Sequence, residues 1–218
     1  MSASLEMVSL PLGQVLAEPG DVMQHAWFPN DGILSLVTVM EDGNASEAST
    51  IGREGVTGYM AVLGDDRTGT RITVQIAGSA WRIGFLRLRE LCDTNPALRR
   101  SILGYVDALL KQSFQLMACN AVHSIETRCA RWILTIQDRL GRDELALTQE
   151  FLANMLGVQR PTVSLALRTL QQAGLVGTRR GAIMVLDRPG LERASCECYW
   201  IVRRNMERLM PSRTTRTD

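Results

Sequence analysis

The run LTQEFLANMLGVQRPTVSLALRTLQQAGLV, residues 147–176, restricts the fold of this chain more than any other stretch. Leu152, Met155 and Leu156 recur at helical spacing, Thr148 precedes them as an N-cap, and Gly157 follows where a helix can end. Val163, Ala166, Leu167 and Leu170 then repeat the period in a second helix. Two short helices joined by a glycine-containing turn are the layout of a helix-turn-helix.

The second helix carries a feature that packing does not explain. Pro161 is tolerated only in a first turn, where the amide it lacks would have no intrahelical acceptor. Once the apolar face is committed to the first helix, Gln159, Arg160, Pro161, Thr162, Ser164 and Arg168 remain outside, concentrated at the N-terminal end. Recognition helices of this motif read bases with their N-terminal residues. Arginine suits guanine, glutamine suits adenine, and Thr162 or Leu165 offers methyl groups to thymine. Thr148 and Gln149, at the start of the first helix, complete the expected DNA-contacting group on that side. The competing reading, a helical hairpin that packs elsewhere, requires Arg160, Arg168, Arg179 and Arg180 to share one side by chance.

Downstream, Leu175-Val176-Gly177-Thr178 and Ala182-Ile183-Met184-Val185-Leu186 read as strands around Arg179-Arg180-Gly181, a hairpin whose tip forms a basic wing. Charge is consistent with this. The formal net charge is only +1, but residues 142–218 carry 12 basic against 8 acidic side chains, and residues 1–141 carry 12 against 15. Lys111 is the sole lysine. Arginine supplies the planar fork that matches phosphates and guanine edges. A solvated basic face would give the same balance, so the helix spacing decides.

With 218 residues the chain has room for two domains. From Leu10 to about Ile83, short β-rich runs alternate with turn residues. Ile33–Val39, bounded by Asn30-Asp31-Gly32 and Asp42-Gly43-Asn44, suggests hairpins of an antiparallel, jelly-roll-like β-roll, a binding shell rather than a βαβ enzyme core. After Phe85 the pattern turns helical. One helix breaks at Asn95-Pro96, and the spacing predicts a single following helix from about Pro96 to Arg139. Two apolar stripes run along it at heptad spacing: Ile102, Leu109 and Leu116, and one residue on, Leu103, Leu110 and Met117. One stripe seats the helix on its own domain, and a second asks for a partner that a twin copy supplies by symmetry. All six residues are candidates for a dimer interface, against the alternative that both stripes are buried in one subunit. Gly141-Arg142-Asp143 marks a hinge. The division expected is 1–92 sensor roll, 93–140 dimerisation helix, and 141–218 winged helix-turn-helix with a C-terminal helix.

Other classes are poorly supplied. No apolar run approaches about 18 residues and the N-terminus has no signal-peptide pattern, so a cytoplasmic protein without membrane contact is expected. Five scattered cysteines without a C-x-x-C suit a reducing compartment. Cys196 and Cys198 are one residue closer than zinc-knuckle spacing and have no histidine near them in sequence, so ordinary helix residues are expected there, and no metal. His25 and His123 are too few to build a metal cage in the roll, and His25 is expected to be an ordinary strand or turn residue. GREGVTG lacks the lysine of a phosphate loop, and no nucleophile motif is present. The chain is not expected to be an enzyme.

The helix-turn-helix run, together with LPLGQVLAEPGDVMQHAWFPNDGILSLV and its turn residues Gly13, Gly20, Asp21 and Gly32, resembles the Crp/Fnr family of bacterial transcription regulators over nearly the whole chain. The resemblance implies an α+β fold: an N-terminal antiparallel β-roll like a cyclic-nucleotide-binding domain, a long dimerisation helix, and a C-terminal winged helix-turn-helix. It implies a homodimer on double-stranded DNA, with RNA polymerase as a further partner. Arg160 falls on the family's guanine-reading arginine, and Gln159, Thr162 and Ser164 fall on neighbouring positions that touch bases or phosphates. Pro161 stands where many members have an acidic residue, and Leu165 where some have a further base-reading arginine, so the half-site is expected to differ. Iron–sulfur members carry an N-terminal cysteine cluster, whereas Cys92 is the first cysteine here, so no such cluster is expected.

Members that bind cyclic nucleotides hold the ribose with a Gly-Glu pair and the phosphate with an Arg-Ser or Arg-Thr pair. On GYMAVLGDDRTGTRITV the glutamate position is taken by Tyr59 and the arginine position by Gly69, with Thr70 retained. Arg67 and Arg71 are the shifted substitutes, which makes Tyr59, Arg67, Thr70 and Arg71 the effector-pocket candidates. A buried phosphate without its arginine faces a heavy desolvation cost. Standard cyclic AMP binding is therefore not expected, no cofactor is expected, and the small-molecule effector is unknown. The leading function is a homodimeric DNA-binding regulator. The alternative is a nucleotide- or small-ligand-binding scaffold acting through a protein partner, against which Arg160 and the basic wing stand.

Overall fold

The structure, a computed structural model, describes residues 5–41, 43 and 45–208. Strands β1 (Glu6–Leu10), β2 (Val15–Ala17), β3 (His25–Pro29), β4 (Ile33–Val39), β5 (Ala45–Ile51), β6 (Arg71–Ile76) and β7 (Gly78–Gly84) build the N-terminal roll. One antiparallel sheet has the order β2-β6-β4-β5 and the other β1-β7-β3. The hairpin expected after Val39 is present as the β4–β5 pair, although Asp42 and Asn44 of its turn fall outside the described residues. Leu34, Leu36, Ile72, Val74 and Ile83 fill the roll with the short helix α1 (Phe85–Thr94) and the first half of α2 (Pro96–Val122). Burial of each such side chain contributes about 1.5–3 kcal/mol.

The break at Asn95-Pro96 has a local cause. Asn95 Oδ1 accepts from the amides of Ala97 and Leu98, both at 3.1 Å, and Pro96 occupies the first helical position. The single helix expected up to Arg139 is in fact two. Helix α2 ends at Val122, His123 is extended, and Ser124 caps α3 (Ile125–Leu140) by accepting from the amide of Thr127. Gly104 does not interrupt α2, whereas the serine after His123 does, because its hydroxyl satisfies an orphan amide that a continuing helix would not expose.

Helix α3 belongs to a second core. It packs with α4 (Gln149–Leu156), α5 (Arg160–Gln172), the strands β8 (Glu144–Leu145), β9 (Val176–Arg179) and β10 (Ala182–Val185), and the helices α6 (Arg188–Ala194) and α7 (Cys198–Glu207). The three C-terminal strands form one antiparallel sheet, β8-β10-β9. The strand pair flanking Arg180-Gly181 follows the sequence reading, while β8 adds an edge that the two-residue run Glu144-Leu145 is too short to announce. Ile33 and Ile76 of the roll join this second core, so the roll rests on α3.

Polar contacts lock that junction. Arg139 of α3 pairs with Glu54 of the roll at 2.8 Å, both side chains almost fully buried, and donates to the Thr50 carbonyl at 3.1 Å. Trp132 Nε1 donates to Glu47 Oε1 at 3.4 Å. Glu47 also accepts from Ser35 at 2.9 Å and Gln75 at 3.1 Å. Burial pushes the Glu47 carboxyl above the ordinary glutamate range, opposed by the Ser35 hydrogen bond and the charge of Arg139.

Candidate nucleic-acid interface

Helix α4 begins where Thr148 Oγ1 accepts from the amide of Phe151 at 3.1 Å, and it ends at Gly157 with φ 64°. A left-handed φ of this kind is costly for any residue with a Cβ, so glycine there sets the turn between the helices. Arg128 of α3 reinforces the stop by donating, in a buried contact, to the Leu156 carbonyl at the negative end of α4.

Helix α5 then starts at Arg160 with Pro161 in its first turn. Val163, Ala166, Leu167 and Leu170 are fully buried against α3 and α4. Gln159, Arg160, Pro161, Thr162, Leu165 and Arg168 are exposed, and Ser164 is half-buried. Arg160, Pro161, Ser164, Leu165 and Arg168 line one continuous surface depression. Ser164 Oγ lies 2.6 Å from Gln149 Oε1 and 3.0 Å from the Arg160 carbonyl, a link between helices that spacing alone does not reveal. Among the described residues no carboxylate pairs with Arg160, Arg168 or Arg180. Their charge is therefore available to an anion. Arg179 differs, because it forms an ion pair with Glu144 of β8. Among the described residues Arg180 is thus the wing-tip cation with no carboxylate partner, whereas Arg179 would have to exchange its own to hold a phosphate.

The dimer candidates divide in two. Ile102 and Leu109 are buried in the roll core, at 4 % and 5 % exposure, so their expected place at a subunit interface is corrected: they offer no surface to a partner. Leu116 is half-buried. Leu103, Leu110 and Met117 are exposed, and Phe114, which does not fit either heptad stripe, extends their strip at 60 % exposure. The heptad pattern could not tell which stripe the roll would take, and the aromatic lay between stripes.

The effector candidates lie between the end of β5 and the start of β6. Gly58, at φ 69°, turns the chain into a short 3-10 helix, Tyr59–Val62, whose first residue is Tyr59. Tyr59 is partly buried, and that burial raises its hydroxyl above the ordinary tyrosine range. Arg67 donates to the Gly20 carbonyl at 2.8 Å, and Arg71 pairs with Glu18 at 2.8 Å. Thr70 is held by its backbone, its amide donating to Thr68 Oγ1 at 3.2 Å. Both displaced arginines are thus engaged with the β2 side of the roll. His25 opens β3 as a strand residue, its ring tilted on Trp27.

Comparison with known proteins adds to this geometry. Residues 7–95 match the cyclic nucleotide-binding domain family and residues 127–194 match the Crp-like helix-turn-helix domain family, together more than half of the chain. The chain is 24 % identical over 200 residues to the transcriptional regulator SdrP of Thermus thermophilus, covering 88 % of this chain and 95 % of that one. It is also 24 % identical over 197 residues to the transcriptional activator protein FnrA of Stutzerimonas stutzeri, covering 84 % and 77 %. The fold is shared with FixK2 of Bradyrhizobium japonicum at a TM-score of 0.76 and 16 % identity, over 88 % of this chain and 98 % of that one. Among the described residues no helix is long and apolar enough to cross a membrane. With a cyclic-nucleotide-type roll joined to a helix-turn-helix of this kind, the chain belongs to the Crp/Fnr family of DNA-binding transcription regulators, which are not enzymes.

Proposed function

We propose that the protein is a homodimeric, sequence-specific regulator that reads a two-fold-symmetric DNA site and whose roll has lost the standard cyclic-nucleotide mode. The observation that carries this reading is the division of α5 into a buried face and an exposed N-terminal end bearing Arg160, Thr162 and Arg168. Arg160 reads a guanine edge, Gln159 a neighbouring base, and Arg168 and Arg180 anchor phosphates. Leu103, Leu110, Phe114 and Met117 supply an apolar strip that a second copy of α2 covers, setting the spacing of two recognition helices. In the roll, Tyr59 takes the glutamate position, Arg67 donates to the Gly20 carbonyl and Arg71 pairs with Glu18, which supports the loss of the phosphate-binding arginine. The effector is therefore a ligand of other chemistry, and RNA polymerase is a further partner on the promoter. Footprinting on DNA flanking the protein's own gene, combined with calorimetric titration of cyclic AMP, tests both halves. Protection of two half-sites without nucleotide binding is expected. Protection of one half-site by a monomer, or a dissociation constant near or below about 10 µM for cyclic AMP (about −7 kcal/mol), would overturn it.

A further inference from the structure

Three cysteines and one histidine meet at a place that the DNA-reading surface does not use. Cys119 lies in the last turn of α2, His123 is the extended residue that ends it, and Cys196 and Cys198 flank the start of α7. Their donor atoms all lie within 4.8 Å of one another. Cys119 Sγ is 3.6 Å from Cys196 Sγ, and Cys198 Sγ is 3.6 Å from His123 Nδ1. A tetrahedral zinc ion with Zn–S of about 2.3 Å and Zn–N of about 2.0–2.1 Å requires S···S edges of about 3.8 Å and S···N edges of about 3.6 Å. Both spacings suit one four-coordinate ion, and 3.6 Å is far beyond the roughly 2.05 Å of a disulfide.

The surroundings have the character of a metal site. The three cysteines pack with one another, apart from both apolar cores. His123 presents Nδ1 to the sulfurs while its Nε2 lies 3.2 Å from Glu197 Oε2, the carboxylate–histidine arrangement that fixes a ligand's ring and tautomer. Gln115 Nε2 donates to Cys198 Sγ at 3.1 Å. Three thiolates, a neutral imidazole and Zn²⁺ leave one negative charge. Arg128 and Arg131 of α3 are buried beside it, each with an Nε that finds no partner among the described residues.

We propose that Cys119, His123, Cys196 and Cys198 form a closed, tetrahedral Zn²⁺ site that fastens α7 to the end of the dimer helix. Binding converts three thiols, a neutral imidazole and a free Zn²⁺ into three Zn–S bonds and one Zn–N bond, with the three thiol protons released to solvent, the ion's waters displaced and no change of oxidation state. All four positions are protein ligands, so the site has no open coordination position for chemistry. Its place between α2 and α7 makes it a clamp on the C-terminal helices. The site stands independently of DNA reading, and its failure would leave the regulator assignment intact.

The test uses the full-length reduced protein. Elemental analysis after reconstitution with Zn²⁺ and removal of excess metal is expected to give one zinc per protomer. Replacement by Co²⁺ is expected to give tetrahedral ligand-field bands with thiolate charge transfer, and X-ray absorption three sulfurs and one nitrogen. Cys119→Ser and Cys198→Ser are expected to lose stoichiometric loading, and Glu197→Gln to weaken zinc affinity about 10–100-fold with the ligands intact. Should the cysteine variants fail to fold, the cobalt and absorption spectra of the unaltered protein still decide. Absence of stoichiometric zinc, a coordination shell of other composition, an iron–sulfur cluster in its place, or a Cys119–Cys196 disulfide in protein isolated without reductant would overturn the proposal.

Discussion

Ser164 Oγ lies 2.6 Å from Gln149 Oε1, so the first residue of α4 is fastened to the second turn of the recognition helix. On the proposed reading, the Gln149 amide nitrogen, its oxygen so engaged, is the group offered to a DNA backbone. A hydrogen bond of this kind contributes about 0.5–1.5 kcal/mol. Ser164→Ala is therefore expected to lower specific DNA affinity by about 2–10-fold in fluorescence anisotropy titrations, and unchanged affinity would show that the link does not orient Gln149.

Arg160 and Arg180 have no carboxylate partner among the described residues, and the proposed reading gives them different tasks. Arg160→Ala is expected to cost about 1–3 kcal/mol on the specific site and to relax preference at one base pair. Arg180→Ala is expected to weaken all sequences alike and reduce the salt slope by about one. Arg179→Ala should do less than Arg180→Ala, because Arg179 must first leave Glu144. Affinity measured against salt for specific and random duplexes separates the three; equal loss on both duplexes for Arg160→Ala would remove its reading role.

The apolar strip on α2 sets the third expectation. In the proposed dimer, Leu110→Glu would place a charge between two copies of the helix, where desolvation costs several kcal/mol. Sedimentation is expected to show a monomer at concentrations where the unaltered protein is a dimer, with circular dichroism unchanged because Leu110 is exposed in the single chain. A variant that stays dimeric would place the interface elsewhere.

What the sequence disclosed followed from local chemistry. The capped helix pair, the wing strands and the Asn95-Pro96 break were legible because Thr148, Gly157, Pro161 and Asn95 act on their own neighbourhood. The end of α2 at His123 was not, since Ser124 is an ordinary residue unless its hydroxyl finds an amide. Ile102 and Leu103 carry equivalent heptad signals, and only the roll's position decides which one is buried. The cysteine–histidine cluster was hidden for the same reason: Cys119 and Cys196 are 77 residues apart and meet only when α7 packs on α2. Arg179–Glu144 likewise depends on a strand of two residues.

Glu47 makes the junction between roll and α3 sensitive to pH. Burial raises its pKa above the ordinary 4.5, so the folded chain holds this proton more tightly than the unfolded one. The stability contributed by that proton is complete below the unfolded value and is lost as pH rises through the folded one. Glu47→Gln is neutral throughout and cannot lose it. The melting temperature of the variant relative to the unaltered protein is expected to climb as pH rises above about 4.5, and parallel melting curves across that range would show that Glu47 is not the group responsible.

The central claim, that a dimer reads a symmetric site through Arg160, is tested most directly by selecting bound sequences from a random DNA pool with the unaltered protein and with Arg160→Ala. The account predicts enrichment of an inverted repeat with half-site centres about one helical turn (roughly 34 Å) apart, and loss of preference at one symmetry-related pair of positions in the variant. Enrichment of a single half-site, or the same motif with equal strength from Arg160→Ala, would contradict it.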